Sequence, residues 1–268
     1  MLKSLKNLLR AAPESARAVA AIPAGERVYA VGDIHGRLDL FTALIAAIET
    51  DDAARGAART VVILLGDLVD RGPDSAGVIA AARDWAGRRT VRMIAGNHEE
   101  MMLLAIDKED VLRAFLRHGG RETVLSYPVD PMAYAAADWC EVQDLMRSAI
   151  PAEDLSFLSG FEDAIQIGDY LFVHAGIMPG VALEAQRKGD LRWIREPFLS
   201  HAGDHGVVVV HGHTITEEAE LRRNRIGIDT GAFFSGRLTA LGLEGTDRWL
   251  IEARDEGGAI TSHTRSIS

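Results

Sequence analysis

Five short apolar runs in the sequence end in residues able to hold a cation or move a proton. Residues 27–31 lead into Gly32-Asp33-Ile34-His35-Gly36, and 61–65 into Gly66-Asp67. Residues 91–95 lead into Gly96-Asn97-His98-Glu99, 169–173 into His174-Ala175-Gly176, and 207–210 into His211-Gly212-His213. Pooled, the set is Asp33, His35, Asp67, Asn97, His174 and His213. Carboxylate and imidazole without sulfur suit Mn, Fe or Zn better than Ca or Mg alone. Three histidines and two aspartates exceed what one ion usually takes from a protein. They fit two ions about 3.5–4 Å apart, bridged by one carboxylate and a hydroxide. Asp67 is the natural bridge, because its strand is expected among the others.

Taken singly, each residue has a plainer reading. An aspartate before a tight turn often caps it, and Asn97 could likewise cap a helix beginning near Glu99. A histidine on an apolar strand is more often a core residue than a ligand, and His-Gly-His is common in loops. None of these readings explains five strands that end alike. The elements between them are legible by period: Leu38, Phe41, Leu44, Ile45 and Ile48 mark one helix, and "DSAGVIAAARDWA" a second. Alternating strands and helices imply an α/β domain with buried, partly parallel strands. Ligands in such folds gather at the carboxyl ends of the strands.

The ordered motifs "GDIHG", "GDLVDRG" and "GNHE" stand about 25–30 residues apart, the span of a strand–helix–strand unit. They resemble the phosphoprotein phosphatase family of calcineurin-like metallophosphoesterases. The later "VHAG", "GHT" and "GIDTGAFFSGRL" resemble its small prokaryotic and phage branch, including phage lambda serine/threonine phosphatase. The resemblance runs from about Val28 to Leu241. It implies a four-layer αββα sandwich with a helical cap insertion. It makes Asp33 and His35 ligands of one ion, Asp67 the bridge, and Asn97, His174 and His213 ligands of the second. His211 then stands beside the site as structural support.

By the same resemblance His98 is the general acid, Asp70 holds its imidazole, and Arg71 binds phosphoryl oxygens. "LRWIREP" resembles the segment that supplies a second phosphate-binding arginine, here Arg195. Asn97 doubles as a substrate contact. The chemistry is coherent: the planar guanidinium fork matches phosphate oxygens, and a carboxylate on an imidazole fixes its tautomer and favours its cation. Asp229 in "IDTG" either orients a ligand or caps a turn. Glu99 and Glu100 are expected in the first turn of a helix, where negative charge is favourable. His118, His201, His205 and His263 receive no catalytic role. Ala175 stands where eukaryotic relatives usually have glycine.

Length and composition bound the rest. The chain has 268 residues, 47% of them hydrophobic and 25% charged, the balance of an ordinary globular protein. Its single cysteine, Cys140, excludes an intrachain disulfide and a thiolate cage, and fits the cytoplasm. A formal net charge of −10 argues against nucleic acid as a partner. No apolar run reaches the roughly 20 residues needed to cross a bilayer. Residues 1–26 are expected as an N-terminal helical extension, too often interrupted by charge for a signal peptide. Residues 27–268 are expected as one domain, with the helical cap at about 101–161. The closing "RDEGGAITSHTRSIS" is expected to fray.

The sequence therefore predicts a hydrolase using two divalent transition-metal ions, Mn foremost, with Fe, Zn or a mixed pair as alternatives. The expected partner is a phosphoprotein or small phosphorylated substrate, and the activity that of a serine/threonine protein phosphatase. The alternative is a symmetrical diadenosine tetraphosphate hydrolase. That group usually has alanine in place of the second aspartate of "GDLVDRG" and reads "GNHD", so Asp70 and Glu99 favour the phosphatase.

Overall fold

The computed structural model describes residues 19–267; the expected N-terminal helix falls almost wholly on residues outside this range. Two sheets face each other. The first has the order β11-β10-β9-β1-β2-β3 and the second β4-β5-β6-β8-β7. In the first sheet β1 is Glu26–Val31, β2 Arg59–Leu64, β3 Val91–Met93, β9 Arg237–Glu244, β10 Asp247–Asp255 and β11 Ile260–Ile267. In the second, β4 is Ala164–Ile167, β5 Tyr170–Val173, β6 Val208–His211, β7 Glu220–Leu221 and β8 Arg225–Gly227.

The period-2 alternation of strand side chains divides the core. From β1 and β2, Val28, Ala30, Val61 and Ile63 point into the space between the sheets, against Phe172, Val210 and Ile226. Their neighbours Tyr29, Val31, Val62 and Leu64 point outward against the helices α1 (Leu38–Ala54) and α2 (Ser75–Arg88). Leu171, Val173 and Val209 pack outward from the second sheet against Leu191, Ile194 and Phe198. The expected four layers follow from this division.

β1, β2 and β3 run parallel, as do β5, β6 and β8. The two parallel triplets bring the carboxyl ends of six strands to one edge. Sequence periodicity marks five of these. The sixth, β8, is three residues long, and its Arg225 stays buried by pairing with Glu220.

Between β3 and β4 the chain is helical, from α3 (Asn97–Ala105) to the helix Ala152–Ser159, and fills the span expected of the cap. The C-terminal segment differs from expectation. It does not fray: Ile260–Ile267 pairs antiparallel with β10 as an edge strand, its polar residues facing solvent. No helix among the described residues is long and apolar enough to cross a membrane.

Candidate active site

Among the described residues, five non-glycine residues have positive φ: His35, Asp67, Asp70, Arg71 and His213. All five are candidate site residues. Each such conformation costs on the order of 1–3 kcal/mol and persists only where the surroundings over-determine it. Close backbone approach explains how the loops reach it. A Cβ on Gly96 would overlap Asp67 Oδ1, and one on Gly212 would overlap Asp33 Oδ1.

Asp67 stands at the centre, 2% exposed. Its Oδ2 lies 3.6 Å from His35 Nε2 and 3.8 Å from His98 Nε2, and its Oδ1 lies 3.4 Å from His174 Nε2. Ligand atoms of His35, Asp67 and His98 converge within 4.8 Å of one another, as do those of Asp67, His174 and His213. Asp67 belongs to both groups. Asp33 lies against the facing loop, where its carboxylate accepts from His213 N at 3.0 and 3.2 Å. Asp229 and Asp67 lie close enough to act on it electrostatically.

The proton inventory tests whether these residues fit cations. His174 Nδ1 lies 2.8 Å from Leu65 O and His35 Nδ1 lies 2.8 Å from Val69 O. A carbonyl only accepts, so each ring carries a proton on Nδ1 and turns Nε2 inward. His174 Nε2 then faces Asn97 Oδ1 at 3.0 Å as well as Asp67 Oδ1. Two oxygen acceptors thus surround that nitrogen, an arrangement suited to a proton or a cation between them; burial acts downward on His174, but Asp67 outweighs it and raises the pKa. His213 Nε2 is buried with no hydrogen-bond partner. Backbone carbonyls that orient ligating imidazoles are typical support for a metal site. The donor set fits a pair of divalent ions sharing Asp67.

Charge follows the same pattern. Burial pushes Asp33 well above the usual carboxylate range, helped by Asp229 and Asp67. Burial also raises Asp229, to about 6. Burial pushes Asp67 upward too, but His174 and His98 outweigh it and hold the carboxyl well below its usual range. Burial lowers His35 and His213 to about 3, which keeps both imidazoles neutral. His98 behaves differently: burial acts downward, but Asp67 and Asp70 outweigh it and raise its pKa.

His98 Nδ1 lies 2.6 Å from Asp70 Oδ2, with both residues buried. The other oxygen, Oδ1, accepts from Thr123 Oγ1 at 2.6 Å. Asp70 N donates to Thr123 Oγ1 at 2.8 Å and to Ser75 Oγ at 3.0 Å. Arg71 donates to His35 Nε2 at 2.8 Å and His98 Nε2 at 3.0 Å, spanning the two rings. Its backbone N–H donates to Gly119 O at 3.0 Å. Thr123 and Gly119 come from the helical insertion, which therefore fixes Asp70 and Arg71 directly. Arg195 is exposed, its Nη2 3.5 Å from His213 O.

Some residues do more than the sequence suggests. Glu99 sits in the first helical turn and accepts from Gly96 N, as expected of a cap. It also accepts from Asp67 N at 2.9 Å and Leu68 N at 2.7 Å, so it fixes the Asp67 loop. Glu100 accepts from Arg192 and Trp193 rather than serving only its own helix. Asp229 accepts from Gly231 N at 2.9 Å, the turn-capping contact, while lying beside Asp33. His211 is buried, with Nδ1 3.0 Å from Gly212 O and its ring against Phe198. Thr123 and Gly119 carry no signal in their local sequence.

A buried cluster of imidazoles and carboxylates at the shared edge of two facing sheets, with a guanidinium beside it, can hold cations next to an anionic group. The Calcineurin-like phosphoesterase profile matches residues 26–234, and the chain belongs to that family. The family implies divalent metal ions, and the histidine and aspartate groups described above are able to bind them. The asymmetrical bis(5'-nucleosyl)-tetraphosphatase of Anoxybacillus flavithermus is 26% identical, over 79% of this chain and 88% of its own. A symmetrical bis(5'-nucleosyl)-tetraphosphatase of Nitrosospira multiformis is 25% identical, over 88% and 98%. Serine/threonine-protein phosphatase 1 of Salmonella typhimurium is 29% identical, over 79% and 89%. A solved cold-active protein tyrosine phosphatase shares the fold, with a TM-score of 0.56 and 21% identity over 91% of this chain and 81% of that one.

Proposed function

We propose that the chain is a phosphomonoesterase acting on phosphoserine and phosphothreonine in proteins and on small phosphate esters. The observation that carries this reading is the buried Asp70–His98 pair at 2.6 Å, beside the Arg71 guanidinium. It combines an anion holder and a proton donor with its counter-charge. Alkoxide leaving groups need such a donor, and proton transfer of this kind is worth about 10²–10⁴-fold.

Two divalent ions, Mn foremost, would be held by Asp33 and His35, by Asp67 in common, and by Asn97, His174 and His213. When bound they supply a water that ionises near neutral pH. The chain's own groups do the rest. Arg71 turns from the imidazoles to the phosphoryl oxygens and Arg195 closes on them from the His213 side, with the Asn97 amide as a further contact. Release of Arg71 frees His98 Nε2 to carry a proton to the leaving oxygen. Asp70 stabilises the imidazolium through Nδ1–H and is itself held by Thr123.

A second reading, a dinucleotide tetraphosphate hydrolase, is favoured by the names of relatives that align along most of this chain. Parallel assays of the Mn-reconstituted protein on a phosphothreonine peptide and on diadenosine tetraphosphate separate the two. Phosphate release from the peptide is expected. Efficient turnover of the dinucleotide alone would overturn the proposal.

A further inference from the structure

Among the described residues the buried histidines are His35, His98, His174, His211 and His213, and only His211 has no task in the reaction outlined above. It closes β6, paired with Gly227 of β8. Its Nδ1 lies 3.0 Å from Gly212 O, so the proton sits on Nδ1 and is donated there. Its Nε2 is buried and has no hydrogen-bond partner among the described residues. The ring lies over the Gly227 backbone, with Nε2 3.2 Å from where a Cβ on that residue would stand, and meets Phe198 edge-on at 5.1 Å. A buried acceptor without a donor costs stability. Packing alone would be better served by an apolar side chain, so the use of this imidazole lies in its other nitrogen.

That nitrogen acts on one peptide unit, Gly212–His213. The carbonyl of the unit accepts from His211 and also from Thr214 N at 2.7 Å, which closes a three-residue turn with His213 at its centre. His213 has a φ of 63°, the rare and strained hand of such a turn. The N–H of the same unit donates to the two oxygens of Asp33 at 3.2 and 3.0 Å. Gly212 N donates in turn to His174 O at 2.8 Å. Donation to a peptide carbonyl polarises the amide and strengthens its own N–H as a donor. One ring therefore bears on the turn that aims His213 and on the contact that holds Asp33, ligands assigned to different ions.

We propose that His211 is a positioning residue for the two-ion centre: its Nδ1–H fixes the Gly212–His213 peptide and thereby sets Asp33 and His213 together. Without that donor the peptide can tilt, the strained turn relaxes, and the two ligands lose their shared alignment. The inference rests on the two-ion reading of the site.

Two substitutions separate positioning from packing. His211→Leu fills much of the same space and removes the donor. His211→Asn puts an amide nitrogen near the place of Nδ1, which keeps the donor, but empties the space beyond it. Calorimetric titration with Mn reads affinity, and urea titration of the full chain in chelator reads stability without the contribution of bound metal. His211→Leu should bind Mn about two- to tenfold more weakly, the worth of one neutral hydrogen bond, with stability unchanged or raised. His211→Asn should lose stability and keep most of the affinity. Mn binding by His211→Leu equal to that of the unaltered protein would overturn the inference, as would a His211→Leu chain less stable than His211→Asn. Failure of the unaltered protein to bind Mn would overturn the two-ion reading itself, and the inference with it.

Discussion

Replacing Asp70 by Asn removes one negative charge from a buried pair and changes the chemistry at one atom of His98. The carboxylate accepts from His98 Nδ1 at 2.6 Å and is fully enclosed, so water cannot take its place. Hydrogen bonds to charged groups contribute about 1.5–3 kcal/mol. Loss of that stabilisation from an imidazolium converts to roughly 10–150-fold in rate. The amide is nearly the same size and can still accept from Thr123, so the fold should survive. The loss should appear in kcat for a phosphothreonine peptide and be several-fold smaller for 4-nitrophenyl phosphate, whose leaving group departs without a proton. The pH dependence has a definite sign. In the proposed role His98 acts in its protonated form, and its pKa is raised by Asp67 and Asp70 against burial. Activity therefore falls as pH rises through that pKa, and the fall should move to lower pH in Asp70→Asn. Stopped assays across pH, with metal content measured on the same samples, supply both readouts. Equal losses on the two substrates, or an unmoved alkaline limb with metal retained, would refute the acid role of His98.

Other substitutions probe separate parts of the site. Asp67→Asn should abolish turnover and weaken metal binding, because Asp67 lies in both donor groups. The proposed ligand set takes Asp33 rather than His98 beside His35, so His98→Asn should lose turnover while retaining metal, read by elemental analysis after dialysis. Thr123→Val leaves one Asp70 oxygen without its donor in a buried site, and should lower stability by about 1–3 kcal/mol in urea titration. A partial fall in kcat should accompany it. Gly96→Ala places a methyl group against Asp67 Oδ1, so metal affinity should fall even where the fold persists.

How much of this was legible in the sequence depended on the reach of each interaction. Continuous apolar runs such as Val61–Leu65 declare buried strands, and the polar residues just past them declare the site. β8 was not legible, because Arg225-Ile226-Gly227 has no period and its arginine is neutralised by Glu220 across a turn. β11 reads as a polar tail because an edge strand needs apolar residues on neither face of its full length. Asp70 could be assigned by resemblance, but its partner Thr123 lies 53 positions away with nothing local to mark it. Glu99 carried a signal at the third position of its helix, yet a cap rule accounts for Gly96 N alone. The rest of its acceptors belong to the Asp67 loop, which only the tertiary fold brings close.

The central claim is that Asp67 joins two donor groups into one two-ion centre. Electron paramagnetic resonance of the protein titrated with Mn tests it directly. The account predicts two ions per chain with an exchange-coupled signal at saturation, and loss of that coupling in Asp67→Asn. Saturation at one ion, or two ions whose spectra remain those of isolated Mn, would contradict it.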